Sequence, residues 1–139
     1  MTIESGPDGA VFGVTFRGIV YTRRGITKKN PTGTAWRPVG KKLMSSISVG
    51  LGFVYAVGRR GAPFSSDVAK LVGPAGIPRK PGKPVVPKPD CGWTKMKRKF
   101  TVIDTGITRT PWAVNKRGNI FTLLKGKWIQ VPGGLSHID

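Results

Sequence analysis

Val11-Phe-Gly-Val-Thr-Phe-Arg-Gly18 recurs as Val54-Tyr-Ala-Val-Gly-Arg-Arg-Gly61 and again as Pro111-Trp-Ala-Val-Asn-Lys-Arg-Gly118. Each copy has an aromatic residue second, a small residue third, valine fourth and Arg-Gly last. An apolar run follows, Ile19-Val20-Tyr21 after the first copy and Ile120-Phe121 after the third. Alternation with period two, a glycine where the chain must reverse, and a second apolar run together read as a β-hairpin. Three hairpins of one design signal a repeat architecture, in which each unit buries its faces against its neighbours.

Working outward, each unit also carries a tryptophan in fixed company. Trp36, Trp93 and Trp128 are followed by Val39, Met96 and Val131, then by Leu43, Phe100 and Leu135, and Ile47, Ile103 and Ile138 close the units. These offsets make the tryptophans packing residues. Phe12, Tyr55 and Trp112 alternate with their neighbours in period two and are read as core, with Trp112 beside Pro111 the expected exception. Gly40-Lys41-Lys42, Lys97-Arg98-Lys99 and Pro132-Gly133-Gly134 fall where second turns belong. Each unit thus reads as four short strands in two successive hairpins, over about 11–50, 54–106 and 111–139. The first unit needs one extra residue to reach its isoleucine, which predicts a bulge at Ser45-Ser46. The spacing of the second unit is longer, and its surplus sits in residues 65–90. This Pro-rich basic stretch is expected to form an extended inserted loop. Residues 25–34 form a smaller insertion in the first unit, where Asn30-Pro-Thr-Gly33 is a turn that delivers the chain to Trp36.

Composition agrees with an all-β chain and narrows its chemistry. The 139 residues include 20 Gly and 12 Pro, far too many for long helices. No apolar stretch approaches the roughly 20 residues of a membrane helix. The single cysteine, Cys91, gives neither an internal disulfide nor a metal spacing. A lone His137 and six scattered acids leave few residues for a triad or a carboxylate pair. The expectation is a non-enzymatic chain with no metal or cofactor. The residues at the start lack the basic and apolar regions of a secretory signal, so the chain is expected to be cytoplasmic or a mature, trimmed secreted form.

The stretch Arg24-Gly-Ile-Thr-Lys-Lys-Asn-Pro-Thr-Gly-Thr-Ala-Trp36 resembles the RxGxT-xxNPxGTxW segment of tectonin-type β-propeller repeats. Trp128-Ile-Gln-Val-Pro-Gly-Gly-Leu-Ser-His-Ile-Asp139 is similar to that family's WxxVPGGLxxID signature, and Pro111 to Phe121 to its xWxVNxxGxIF hairpin. The resemblance covers nearly all the chain outside the Pro-rich insertion. It implies a β-propeller of four-stranded blades, of the fish-egg-lectin and horseshoe-crab-lectin type, whose members bind lipopolysaccharide or sugars. It carries over no catalytic residues. Closed propellers need about four to eight blades. Three blades are therefore half of a six-bladed ring closed by a homodimer, or part of a longer propeller.

Charge is the other strong signal. Lys and Arg total 24 against six acids, a formal net charge of +18, and a surface this basic meets something anionic. Following strand directions through the repeat puts the first turns and the second turns at one end of every blade. The candidate ligand-binding set is therefore Arg17, Arg59, Arg60, Lys116 and Arg117 from the first turns, with Lys41, Lys42, Lys97, Arg98 and Lys99 from the second. Arginine forks suit phosphate and sulfate. Weak exposed pairs add up only over many contacts, which favours a polyanion over a small ligand. The leading expectation is recognition of anionic glycans or lipopolysaccharide-type surfaces. The alternatives are a nucleic-acid or ribonucleoprotein binder, and a basic structural component on an acidic assembly, mineral or membrane surface.

Overall fold

The computed structural model describes residues 2–72, 92–135 and 138. Eleven strands and one short helix follow in order. They are β1 (Thr2–Ser5), β2 (Val11–Val14), β3 (Ile19–Arg24), β4 (Ala35–Val49), β5 (Phe53–Gly58), β6 (Pro63–Asp67), α1 (Val68–Val72), β7 (Thr94–Lys95), β8 (Val102–Asp104), β9 (Trp112–Val114), β10 (Asn119–Leu124) and β11 (Lys127–Gly134). All pairing is antiparallel between neighbours in sequence. The chain is all-β, built as three four-stranded blades. The first two are joined in one ladder because β4 serves both: its first half pairs with β3 and its second with β5.

The three octads form the middle hairpin of each blade, β2–β3, β5–β6 and β9–β10. Each closes in the same way. The N–H groups of Gly18, Gly61 and Gly118 donate to the carbonyls of Thr15, Gly58 and Asn115 at 2.8, 2.7 and 3.0 Å. The glycines sit at φ of 86°, 84° and 81°, a left-handed geometry that a side chain resists. A Cβ on Gly18 would stand 2.8 Å from the Met44 carbonyl oxygen. The expected bulge is present: pairing of β4 with β5 skips a residue between Met44 and Ser46, and the Ser45 hydroxyl donates to the Val57 carbonyl at 3.1 Å. The Asn30 turn also forms, with Gly33 N–H donating to Asn30 at 3.1 Å before Thr34 N–H reaches Arg24 at 2.7 Å.

Two expectations change. The segments around Val39 and Ile47 do not form a hairpin with each other. Tyr21 pairs with Pro38, whereas Ala56 pairs with Ile47, so Gly40-Lys41-Lys42 is a crossing from one blade to the next. Blade boundaries accordingly fall one strand earlier than the units read from the repeat, with β1, the second half of β4, and β8 as first strands. The repeat itself is unaltered; its phase is. Residues 65–72 also differ from an extended loop: Ser65 pairs with both Tyr55 and Thr94, and 68–72 form α1. The remainder of that Pro-rich segment, residues 73–90, lies outside the described residues, as do Cys91 and His137.

The core lies between blades. Phe12, Val14, Val20 and Val39 of the first blade meet Ile47, Val54, Phe64 and Trp93 of the second. On its other face, the second blade's Phe53, Tyr55 and Val57 meet Phe100, Ile103, Phe121 and Trp128 of the third. Phe100 lies edge-on to Trp128 with ring centres 4.6 Å apart. Residues of each strand alternate between a face toward the preceding blade and a face toward the following one. Among the described residues, no helix is long and apolar enough to cross a membrane.

Candidate functional site

Backbone hydrogen bonds fix one rim. Met44 N–H donates to Gly18, Phe100 N–H to Gly61 and Leu135 N–H to Gly118, at 2.8, 2.8 and 2.9 Å. Each hairpin turn is thereby tied to the crossing that leaves its own blade. Lys41 and Lys42 lead into the first of these crossings, and Lys97, Arg98 and Lys99 into the second. The structure thus puts the turn residues and the crossing residues at the same end of the blades.

Five of the ten candidates come together more closely. Arg59, Arg60, Lys99, Lys116 and Arg117 line a cleft of about 590 Å³ between the second and third blades, with Ser45 and Asn115 among its polar walls. All five cations are exposed. Asn115 shapes the turn beneath them, since its Oδ1 accepts from the backbone N–H of Arg117 and of Asn119, each at 3.0 Å. The other five candidates are arranged differently. Arg17 lies 5.7 Å from the ring centre of Phe16, one turn along the rim. The same turn accepts a long 3.4 Å hydrogen bond from Arg59 to the Phe16 carbonyl. Lys42 is half-buried with its ammonium 5.1 Å from the Phe64 ring, and Arg98 stands 4.9 Å over Phe121. These two spend part of their charge on aromatic faces. Lys41 and Lys97 are exposed.

The acids show the complementary pattern, which was not drawn from the sequence. Glu4, Asp8, Asp67 and Asp104 are the described carboxylates, and each lies at or near the strand end opposite the Arg-Gly turns. Glu4 pairs with Phe12, Asp67 with Phe53 and Asp104 with Trp112, and Asp8 occupies the β1–β2 turn. Asp67 is met there by Lys70 at 3.2 Å and Arg109 at 3.9 Å. Among the described residues, no carboxylate therefore offsets the turn rim. Strand direction applied to the acids, as to the bases, would have revealed this. The exposed Phe16 was also missed, because an aromatic residue in a strand-turn-strand pattern reads as core.

Near the middle of the arc, Ser48 Oγ donates to Asp104 Oδ1 at 2.7 Å and accepts from Thr105 N–H at 3.0 Å, stapling two first strands together. Beside it, Tyr55 donates to the Arg109 carbonyl at 3.3 Å. Burial pushes the Tyr55 phenol above its ordinary pKa, against a smaller lowering by the Arg109 charge. Among the described residues no group of His, Cys, Asp and Glu is placed to hold a metal.

Sheets that pack face to face in series around an arc, each tied to the next by a crossing segment, identify the architecture. The fold is a β-propeller. A family model described as a propeller (Hyd_WA) matches residues 10–39, the first octad hairpin and the start of β4. Solved structures agree over almost the whole chain. Human WBSCR16 is similar over 95% of this chain and 37% of its own, with TM-score 0.64 and 13% identity. YCF48 from Cyanidioschyzon merolae is similar over 92% and 35%, with TM-score 0.62 and 15% identity. Prp20p from Saccharomyces cerevisiae, whose structure is described with its binding to Gsp1p and histones, is similar over 88% and 32%, with TM-score 0.53 and 16% identity. The chain spans about a third of the length of these structures. No curated protein sequence matches it.

Proposed function

We propose that this propeller chain is a non-enzymatic, lectin-like binding module whose turn rim recognises phosphate- or sulfate-bearing glycans, as on lipopolysaccharide-type surfaces. One observation carries the reading: Arg59, Arg60, Lys99, Lys116 and Arg117 surround a single cleft on a rim with no described carboxylate. Like charges held together repel, and the arrangement gains most when an anion fills the space between them. Guanidinium groups supply paired donors to phosphate and sulfate oxygens. The Arg-Gly turn recurs along the rim, which suits a repeating polymer bound through several weak contacts. The glycan part of the reading comes from the tectonin resemblance.

Prp20p, with its described binding to histones, supports the use of a propeller as a docking surface. Its partner does not transfer, since histones are themselves basic and a chain of +18 would repel them. A nucleic-acid reading has one specific support: the exposed Phe16 beside Arg17 has the makings of a stacking platform. Titration of the 139-residue chain with a phosphorylated oligosaccharide, across a salt series, separates these readings. Glycan recognition predicts a salt-resistant share of affinity and competition by the matching neutral sugar. Binding that falls log-linearly at about −0.9 per duplex phosphate neutralised, equally for any polyanion and untouched by neutral sugars, would refute the glycan reading.

A further inference from the structure

The tips of the three octad turns are occupied by Phe16, Arg59 and Lys116, the sixth residue of each copy. The position is open in every case, since all three residues are exposed. Arg59 is the telling member, because its blade has another on either side and it is exposed all the same. Exposure at the tip therefore belongs to the turn and does not depend on which blades flank it. Two of the tips carry a cation, as a solvated turn in a basic protein would. The first carries a phenylalanine that is 81% exposed, more than any other large apolar residue among those described. Nothing in the hairpin calls for it. Phe16 belongs to neither buried cluster, and the turn closes through the backbone of Thr15 and Gly18.

The ring stands beside the charge of the rim. The Arg17 guanidinium is 5.7 Å from its centre, within cation–π range. Arg59, which lines the cationic cleft, donates from Nη2 to the Phe16 carbonyl at 3.4 Å. This long bond ties the first turn to the second and puts Phe16 at the first-blade end of the cleft. Phe100 also lines the cleft, but it is 3% exposed and packed on Trp128. Phe16 is thus the ring that the turns present to a ligand.

We propose that Phe16 is the ring-stacking subsite of the turn rim, holding the apolar face of a sugar while Arg17, Arg59 and Arg60 take its phosphate or sulfate groups. This rests on the glycan reading above and deepens it, by assigning the salt-resistant share of affinity to one residue. A pyranose presents a face of C–H bonds, whose partial positive charge suits the negative face of a phenyl ring. A nucleobase also stacks on such a ring. A single strand, however, brings a base with every phosphate, and its binders offer successive aromatic platforms. The three turns offer one exposed ring against five cations, Arg17, Arg59, Arg60, Lys116 and Arg117, which suits a ligand whose charges outnumber its stacked rings.

Phe16→Ala and Phe16→Trp, each made in the 139-residue chain and titrated by calorimetry across a salt series, test the proposal. The probes are a phosphorylated oligosaccharide, inorganic polyphosphate and a single-stranded oligothymidylate. Both substitutions leave the net charge alone, and at so exposed a site each should keep the parent melting profile. Phe16→Ala is expected to weaken oligosaccharide binding roughly 10-fold, a fraction of what full burial of a phenylalanine contributes, with the loss persisting at high salt. Phe16→Trp should match or exceed the parent. Polyphosphate, which has no ring to stack, should bind all three proteins alike. An equal loss for polyphosphate would overturn the proposal, since Phe16 would then act only by holding Arg17 and Arg59 in place. So would a larger loss for oligothymidylate than for the oligosaccharide, which would assign the ring to bases. A parent with no salt-resistant share sinks the glycan reading and this proposal together, whereas a salt-resistant share that survives in Phe16→Ala sinks the proposal alone.

Discussion

The two rims of the blades are built by the same strands and differ sharply in chemistry. At the turn rim, every octad ends in Arg-Gly, the crossings add lysines, and no described carboxylate is present. At the opposite rim, Asp8 and Asp67 answer nearby donors: Asp8 accepts from Gly52 N–H at 3.0 Å and Asp67 holds Lys70 and Arg109. Asp67 thus meets two cations at its own rim, whereas no described carboxylate lies among the cations of the turn rim. The difference is not forced by folding. The backbone demands the glycine of Arg-Gly, whereas the arginine before it points to solvent and could be any polar residue.

Exchanging charges between rims should break the contrast most visibly. Replacing Arg17, Arg60 and Arg117 together by Ser should weaken polyanion binding roughly 3- to 150-fold, from about 0.2–1 kcal/mol per lost pair. Removing Lys28, Lys125 and Lys127 takes away as much charge from elsewhere and should cost only a few-fold. Surface plasmon resonance against an immobilised anionic glycan compares the two. Equal losses would mean that net charge alone matters.

Glycines sharpen the same comparison in stability. Gly18→Ala combines a left-handed backbone with a Cβ pressed on the Met44 carbonyl, whereas Gly9, at φ 80° on the opposite rim, has nothing within 4 Å of its Cβ position. Chemical denaturation should show a loss of about 2–3 kcal/mol for Gly18→Ala and about 1 kcal/mol for Gly9→Ala. Ser48→Ala removes the staple to Asp104 and should cost about 1–2 kcal/mol by the same measurement, because a buried backbone N–H loses its acceptor.

Much of the fold was legible in the sequence, and the failures have physical causes. The octads give their hairpins because period-two alternation and a left-handed glycine leave few other conformations. The bulge at Ser45 comes from counting residues between Trp36 and Ile47. The blade phase was not legible, because two strands around Gly40-Lys41-Lys42 look like a hairpin whether they pair with each other or with outside partners. Residues 65–72 were hidden by the proline bias of the neighbouring stretch from Pro74 to Pro89, although Ser65 and Ser66 still alternate as a strand. Trp36 shares its motif with Trp93 and Trp128 but not their burial, since burial depends on a neighbouring blade and not on the motif. The cleft at Arg59, Arg60, Lys99, Lys116 and Arg117 was legible as a rim, and only the packing of two blades could show which five converge.

The smallest expected effect concerns pH. With its folded pKa raised, Tyr55 contributes stability that is present below about pH 10 and lost as pH rises through the folded value. Thermal melts from pH 8 to 11 should fall less steeply for Tyr55→Phe than for the parent, by a degree or two. A parallel decline in both would mean that Tyr55 does not link stability to pH.

The central claim is that the turn rim is the binding surface. Amide chemical-shift mapping during titration with a phosphorylated oligosaccharide tests it most directly. The largest shifts are expected at Arg59, Arg60, Lys99, Lys116 and Arg117, with smaller ones at Arg17. Shifts concentrated at Asp8, Asp104 and Lys125, with the turn rim silent, would contradict it.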